Sequence, residues 1–271
     1  MLYVIPYFEY KYLYLWGYPL QTWVVLLLVG VTGFFLVIYW EAKRKNLNIL
    51  AVWIIFLLDI YLAEAFAKFF YILSRLFLHH DLKWYTLLFT CSIGRIFFGS
   101  LVGTLVATWL GVIIAKKTKD LYKYLDIVLT GEIAALFFYR VGNFLWHEHI
   151  GKVTTFPLGM EYLGQIRHEV SLYETLSMFV LFCIIWGIRK KVTADGALSV
   201  FILLWISASH FLTDFFRVSD LPSSNFRLLN GLTLNQLAYL GVMLFMLGIL
   251  IKLIKKDYYG RTSKNKSITS K

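Results

Sequence analysis

The chain has 271 residues, of which 59% are hydrophobic and 18% aromatic, with a formal net charge of +11, four prolines and two cysteines. Two cysteines exclude a disulfide scaffold, and no polar block is long enough to build an independent soluble core. The basic excess falls in short clusters between apolar runs, which favours contact with an anionic membrane leaflet over nucleic acid.

Seven apolar stretches follow in chain order: Tyr18–Trp40, Leu50–Leu73, Ile93–Ala115, Leu125–Leu145, Leu172–Ile188, Gly196–Phe216 and Leu232–Leu253. Each is near the ~20 residues that cross a bilayer as a helix. Basic clusters lie at Lys43–Lys45, Lys116–Lys123, Arg189–Lys191 and Lys252–Lys271, and hold 17 of the 27 Lys and Arg. The opposite loops hold Lys11, Arg75, Lys83, Lys152, Arg167, Arg217 and Arg227. The positive-inside bias predicts seven transmembrane helices with the N-terminus outside and the C-terminus cytoplasmic. The expected fold class is therefore an all-α membrane protein. One polytopic domain covers 1–254, with a small exterior loop region at 146–171, and a basic tail over 255–271 is expected to be disordered. Residues 1–17 carry Glu9 and Lys11 among aromatics, unlike a cleavable signal peptide.

Charged groups inside apolar runs are the informative residues, since each costs at least about 2.5–3.5 kcal/mol at a helix centre. They are Asp59, Glu64, Lys68, Arg95, Asp126, Glu132, Arg140, Glu174, His210, Asp214 and Arg217. Glu64 and Lys68 stand four apart and can neutralise each other. The predicted topology brings Lys68, Arg95, Arg140, Glu174, His210, Asp214 and Arg217 to the outer half of the membrane. A polar chamber with several cations suits an anionic substrate such as a phospholipid headgroup. Cys91 and Cys183 read as packed thiols. The scattered histidines, including His79–His80, give no zinc spacing, and no phosphate-loop or dinucleotide fingerprint occurs.

The densest pattern is Arg140-Val-Gly142-Asn143-Phe144-Leu-Trp-His-Glu148-His-Ile-Gly151-Lys152. It resembles the R-[LIV]-G-N-F-x-N-x-E-x-x-G-R signature of the prolipoprotein diacylglyceryl transferase family, with Trp146 at the second Asn and Lys152 at the last Arg. Further likenesses are His168-Glu-Val-Ser-Leu-Tyr173-Glu174 to H-P-[ST]-Q-L-Y-E, and Asp214-Phe-Phe-Arg217-Val-Ser-Asp220 to E-F-F-R-x-P-D. Gly231–Gln236 resembles the L-T-x-G-Q segment, and Lys68–Tyr71 falls at R-[LIV]-G-Y. The family's H-G-G-L-I-G reads Phe98-Gly99-Ser100-Leu101-Val102-Gly103, so its His is replaced by Phe98. His210 stands where the family has an Arg, Asp214 where it has a Glu, and Gln21–Val24 replaces W-Y-G.

The resemblance implies transfer of a diacylglyceryl group from phosphatidylglycerol to the lipobox cysteine thiol of a prolipoprotein, in a bacterial cytoplasmic membrane, without metal or cofactor. Phosphatidylglycerol, prolipoprotein signal peptides and membrane lipid are the implied partners. Arg140 is then the phosphate clamp, Asn143 orients a headgroup oxygen, and Glu148 holds Arg140 or accepts a substrate hydroxyl. His168 or His210 stands in for the missing base. Gly151, Tyr173, Asp214, Arg217 and Lys68 complete the substrate site. Two other readings stay open: a weak or inactive paralogue that binds lipid or lipopeptide, and a membrane carrier. The carrier is disfavoured because the charges gather in one layer, with no route onward and no inverted repeat.

Overall fold

A computed structural model describes residues 5–78, 96–217, 227–228 and 231–269. Cys91, Arg95, His79, His80 and Asp220 lie outside the described residues. The chain is mostly helical: α1 Thr22–Arg44, α2 Ile49–Leu78, α3 Phe97–Ile114, α4 Leu121–Trp146, α5 Val170–Ile188, α6 Ala197–Thr213 and α7 Leu234–Thr269. Six of them are long and apolar enough to cross a membrane. The exception is α4, whose apolar run is interrupted by Asp126, Glu132 and Arg140. It packs against α1, α3, α5 and α6. One core joins Phe34 and Ile38 of α1 and Ile55 of α2 to Tyr124, Ile127 and Val128 of α4. A second joins Leu129 and Ile133 of α4 to Leu181 and Ile185 of α5 and Ile202 and Ile206 of α6. A helix covered on most sides by protein can carry charges that a lipid-facing helix cannot.

The expected spans agree with these helices to within a few residues, except that α7 continues to Thr269, through the segment for which the sequence expects disorder. Among the described residues, three small antiparallel sheets accompany the helices. β1 Tyr12–Leu15 and β2 Tyr18–Gln21 form a hairpin before α1. Its turn residues Trp16 and Gly17 both take positive φ, which matches the twist of the flanking strands. Between α4 and α5, β3 Ile150–Val153, β4 Gly159–Tyr162 and β5 Gln165–Glu169 pair in the order β3-β5-β4. Ile5 bridges to Met160 of this sheet. Such short strands show too little alternation to be read from sequence. A two-residue pair, β6 Arg227–Leu228 with β7 Leu232–Thr233, precedes α7.

Close packing and caps hold the helices in register. A Cβ on Gly99 would sit 2.5 Å from the Phe66 carbonyl oxygen, and one on Gly103 would strike the Leu62 carbonyl. Glycines four apart thus let α3 lie against the α2 backbone. Asp126 accepts from the backbone N–H of Gly196 (3.0 Å) and Ser199 (2.9 Å), and from the Ser199 hydroxyl. A carboxylate of α4 therefore caps the N-terminus of α6, where free N–H groups and the helix dipole favour negative charge. Cys183, expected to pack, is exposed. It lies off the stripe through Met178, Leu181 and Ile185 that α5 buries.

Candidate functional site

Glu174, fully buried in the first turns of α5, is the centre of the polar cluster. Arg140, near the C-terminal end of α4 and 3% exposed, pairs with Glu174 Oε2 at 2.7 Å. Arg217, just past α6, reaches Glu174 Oε1 at 3.0 Å. His210 Nδ1 lies 3.2 Å from the same oxygen, and the Thr213 hydroxyl donates to it at 3.3 Å. The first residue of the α4 motif, the Glu of the α5 motif and the Arg of the α6 motif thus meet at one carboxylate.

Local structure aims these groups. A 3-10 turn at Asp214–Phe216 ends α6, after which Arg217 becomes extended, with φ −67° and ψ 146°. Arg217 then bridges to Gly151 of β3. A Cβ on Gly151 would lie 2.5 Å from the Phe216 carbonyl oxygen and 2.7 Å from His168 Cβ. This glycine therefore lets the β3 strand close over the end of α6. Asp214 lies 3.6 Å from Arg217 Nε and accepts from the Thr233 hydroxyl. Gln236 reaches back to the Phe211 carbonyl, tying the start of α7 to the same corner.

Two donors in the cluster lack a hydrogen-bond acceptor among the described residues: Asn143 Nδ2 and Arg217 Nε. Buried donors are normally paired because leaving one unmet costs about 1–3 kcal/mol. A bound oxygen-rich ligand would meet both. Arg140 also lies over the rings of Phe97 and Tyr139, each 5.5 Å away.

The other expected site residues divide around this centre. His210 is inside it, with its ring against Phe97 at 4.5 Å and stacked on Tyr239 at 5.3 Å. His168 is on β5, outside the Glu174 cluster, with Nδ1 3.0 Å from the Tyr173 hydroxyl and its ring against Phe216. Burial, with the Lys152 ammonium nearby, lowers its pKa. Glu148 is exposed, and Arg140 pairs with Glu174. Lys68 pairs with Glu64 at 3.0 Å on its own helix. Phe98 faces Phe70 and Tyr239 edge-on. It also lines an apolar groove of ≈ 380 Å³ with Leu101, Leu105, Leu203, Val242 and Met246.

The sequence reading places Glu174 in the outer polar layer without giving it a role, and passes over His149. Glu174 was visible as a carboxylate opening an apolar helix, but its neighbours come from distant helices. His149 occupies a variable position of the motif and carried no signal. Its backbone carbonyl accepts from the Val170 N–H at 3.2 Å, at the start of α5. Burial, and then the Arg217 charge, push its imidazole down to about 3, so it is neutral at working pH.

The sequence profile described as prolipoprotein diacylglyceryl transferase matches residues 11–254. Among relatives named phosphatidylglycerol–prolipoprotein diacylglyceryl transferase, the protein of Campylobacter lari is 31% identical over 159 residues, covering 58% of this chain and 56% of its own. That of Wolinella succinogenes is 31% identical over 165 residues, 60% and 59% of the two chains. That of Chlorobaculum tepidum is 36% identical over 132 residues, 47% and 45%. The chain thus spans under two thirds of the length of these curated relatives, yet the family profile covers nearly all of it. The chain belongs to the prolipoprotein diacylglyceryl transferase family.

Proposed function

We propose that this protein transfers the diacylglyceryl group of phosphatidylglycerol to the lipobox cysteine of a prolipoprotein in a bacterial cytoplasmic membrane. The observation that carries the reading is the convergence of Arg140 and Arg217 on Glu174, beside the unmet donors of Asn143 and Arg217. Two guanidiniums would repel each other without Glu174, which holds them side by side. A phosphodiester arriving there meets a fork of N–H donors suited to its geometry. The substrate thiolate then attacks the glycerol carbon that bears the phosphate. The carbon–oxygen bond breaks, glycerol phosphate leaves with the electron pair, and a thioether forms. Charge developing on the leaving oxygen is what positioned guanidiniums stabilise. The Phe98 groove offers an acyl chain an apolar wall next to the cluster.

In this reading α4 is a seventh crossing. It has 26 residues, about 39 Å at 1.5 Å per residue. The N-terminus then lies outside, the C-terminus inside, and the β3–β5–β4 sheet belongs to the exterior loop over 146–171. Residues 1–254 form the membrane domain and 255–271 the basic tail. Arg140, Arg217 and Asn143 contact the headgroup, Asp214 positions Arg217, and Gly151 closes the strand over it. His210 supports Glu174, while Tyr173 and His168 line the approach.

Purified protein in phosphatidylglycerol liposomes, given a lipobox peptide, should yield a peptide heavier by one diacylglyceryl group. A product with the thioether on the lipobox cysteine is the expected result. No transfer, with phosphatidylglycerol binding retained, would establish the lipid-binding paralogue instead.

A further inference from the structure

We propose that the β1–β2 hairpin is a membrane anchor, laying one of its faces into the leaflet that the start of α1 enters. The inference needs α1 to cross the bilayer and does not depend on the transfer reaction.

The hairpin is built with two unlike faces. It reads Tyr12-Leu-Tyr-Leu-Trp-Gly-Tyr-Pro-Leu-Gln21, with no charged side chain, and every residue of both strands is exposed. Successive strand residues point to opposite faces, and residues paired across an antiparallel ladder share a face. Leu13 pairs with Leu20 and Leu15 with Tyr18, while Tyr12 pairs with Gln21 and Tyr14 with Pro19. One face is therefore three leucines and a tyrosine. The other carries two phenol hydroxyls and an amide. Contacts with the rest of the chain fall on this second face: the Tyr12 ring meets the Trp146 ring edge-on at 6.1 Å, and the Trp23 indole N–H donates to Gln21 at 2.9 Å.

The tip points the same way. Trp16 has φ 48° and Gly17 φ 82°. A two-residue turn of this hand favours Asn or Gly at its first position, because a bulky side chain crowds its own backbone there. Trp16 accepts that crowding while remaining 96% exposed, so the gain that offsets it lies outside the chain. Indole and phenol rings are the side chains enriched at the headgroup level of a bilayer.

The place of the hairpin in the fold identifies what covers its leucine face. β2 ends at Gln21 and α1 begins at Thr22, so that face starts where a membrane-crossing helix meets the surface. Four strand residues reach about 13 Å, which keeps the tip within one hairpin length of the same surface. An added strand from a peptide or a second copy fits less well. The Leu15–Tyr18 pair next to the turn is the hydrogen-bonded one, so the Tyr14–Pro19 pair directs its backbone groups outward. Pro19 has no N–H to offer there, a common way of blocking an edge. Lipid needs no such ladder. With the leucines in the acyl boundary, the strand edges and the tyrosine hydroxyls stay in the hydrated headgroup layer, as in an interfacial amphipathic helix.

Nitroxide labelling of the full-length protein in phosphatidylglycerol–phosphatidylcholine liposomes tests this. Cys91→Ser and Cys183→Ser remove the native thiols, and Tyr12→Cys, Leu13→Cys, Tyr14→Cys, Leu15→Cys and Leu20→Cys each supply one label site. Labels on the leucine face should be reached better by dissolved oxygen than by a water-soluble nickel chelate. Labels on the tyrosine face should show the reverse, so that the preference alternates residue by residue along β1. Equal chelate access on both faces, or the opposite alternation, would overturn the proposal. Chelate exclusion that survives in detergent with spin–spin broadening between copies would overturn it too, by showing a second copy on that face. The second test adds Trp16→Asn to Leu13→Cys. Asn suits the turn, so thermal unfolding in detergent should hold, while the label in liposomes shifts toward water. An unshifted label counts against the anchor. Both readouts stand whether or not the protein transfers lipid.

Discussion

Glu41 and Glu174 are both buried carboxylates held between two arginines, and α5 contributes to each cluster. At its C-terminal end Arg189 pairs with Glu41 of α1 at 3.0 Å, and Arg44 joins from the other side. Arg189 also donates to the Trp186 carbonyl and lies over the Trp186 ring at 3.3 Å, while Arg44 reaches the Arg189 carbonyl. Near its N-terminal end Glu174 joins Arg140 and Arg217, but Arg217 Nε and the neighbouring Asn143 Nδ2 have no acceptor among the described residues. The first cluster spends its donors on the protein. The second leaves two donors without a hydrogen-bond acceptor among the described residues, which the proposed lipid headgroup would meet. Ion pairing alone does not separate the two clusters; the unmet donors do.

Variants can break this contrast, and the largest effect should come from Glu174→Gln. Losing the carboxylate leaves two buried guanidiniums facing each other, and breaking a buried pair costs about 3–5 kcal/mol. Thermal unfolding in detergent should fall accordingly and transfer should disappear; a variant of wild-type stability and rate would remove Glu174 from the centre. Arg140→Lys keeps the charge but loses the planar fork. We expect transfer to drop about 10²–10³-fold, the scale for losing one positioned donor, measured with a lipobox peptide at saturating lipid. Lys152→Ala, by contrast, should leave the rate near wild type.

Asn143→Ala sharpens the contrast further. Its Nδ2 donor has no acceptor among the described residues to lose, so folding stability should hold. Transfer should fall about 10–100-fold, matching about 1–3 kcal/mol for one buried donor meeting its ligand. A stability loss without a rate loss would show that the amide serves the protein. The smallest effect on transfer belongs to Arg189→Met. Melting should fall by about 3 kcal/mol, the low end for breaking a buried pair, while the rate per folded molecule stays unchanged.

Much of this architecture was legible in the sequence because apolar length and period are local signals. The run Leu172–Ile188 became α5 almost unchanged, and Glu64 with Lys68 paired as their spacing requires. Arg140, Asn143 and Gly151 stood out through fixed spacing. The rest depended on tertiary partners. Glu174 is uninformative until Arg140 and Arg217 arrive from other helices. Glu148 reads from its spacing as a partner of Arg140 or an acceptor for a substrate hydroxyl; the α4 helix ends at His147 with φ 53°, and Glu148 follows in the exposed turn beyond it. His149 has no motif value, and its environment exists only once β3 has folded back over the end of α6.

The double attachment of α4 has a consequence for the surrounding lipid. Asp126 ties it to the first turn of α6 and Arg140 ties it to α5, 14 residues further along, or about 21 Å of helix rise. A helix fastened to two neighbours at two heights cannot slide or roll to suit a thicker or thinner bilayer without surrendering one fastening. Hydrophobic mismatch around this bundle must then be absorbed by the acyl chains, at a cost of fractions of a kcal/mol per ångström. The spacing between these two attachments is therefore a property of the protein, whatever the length of the surrounding chains.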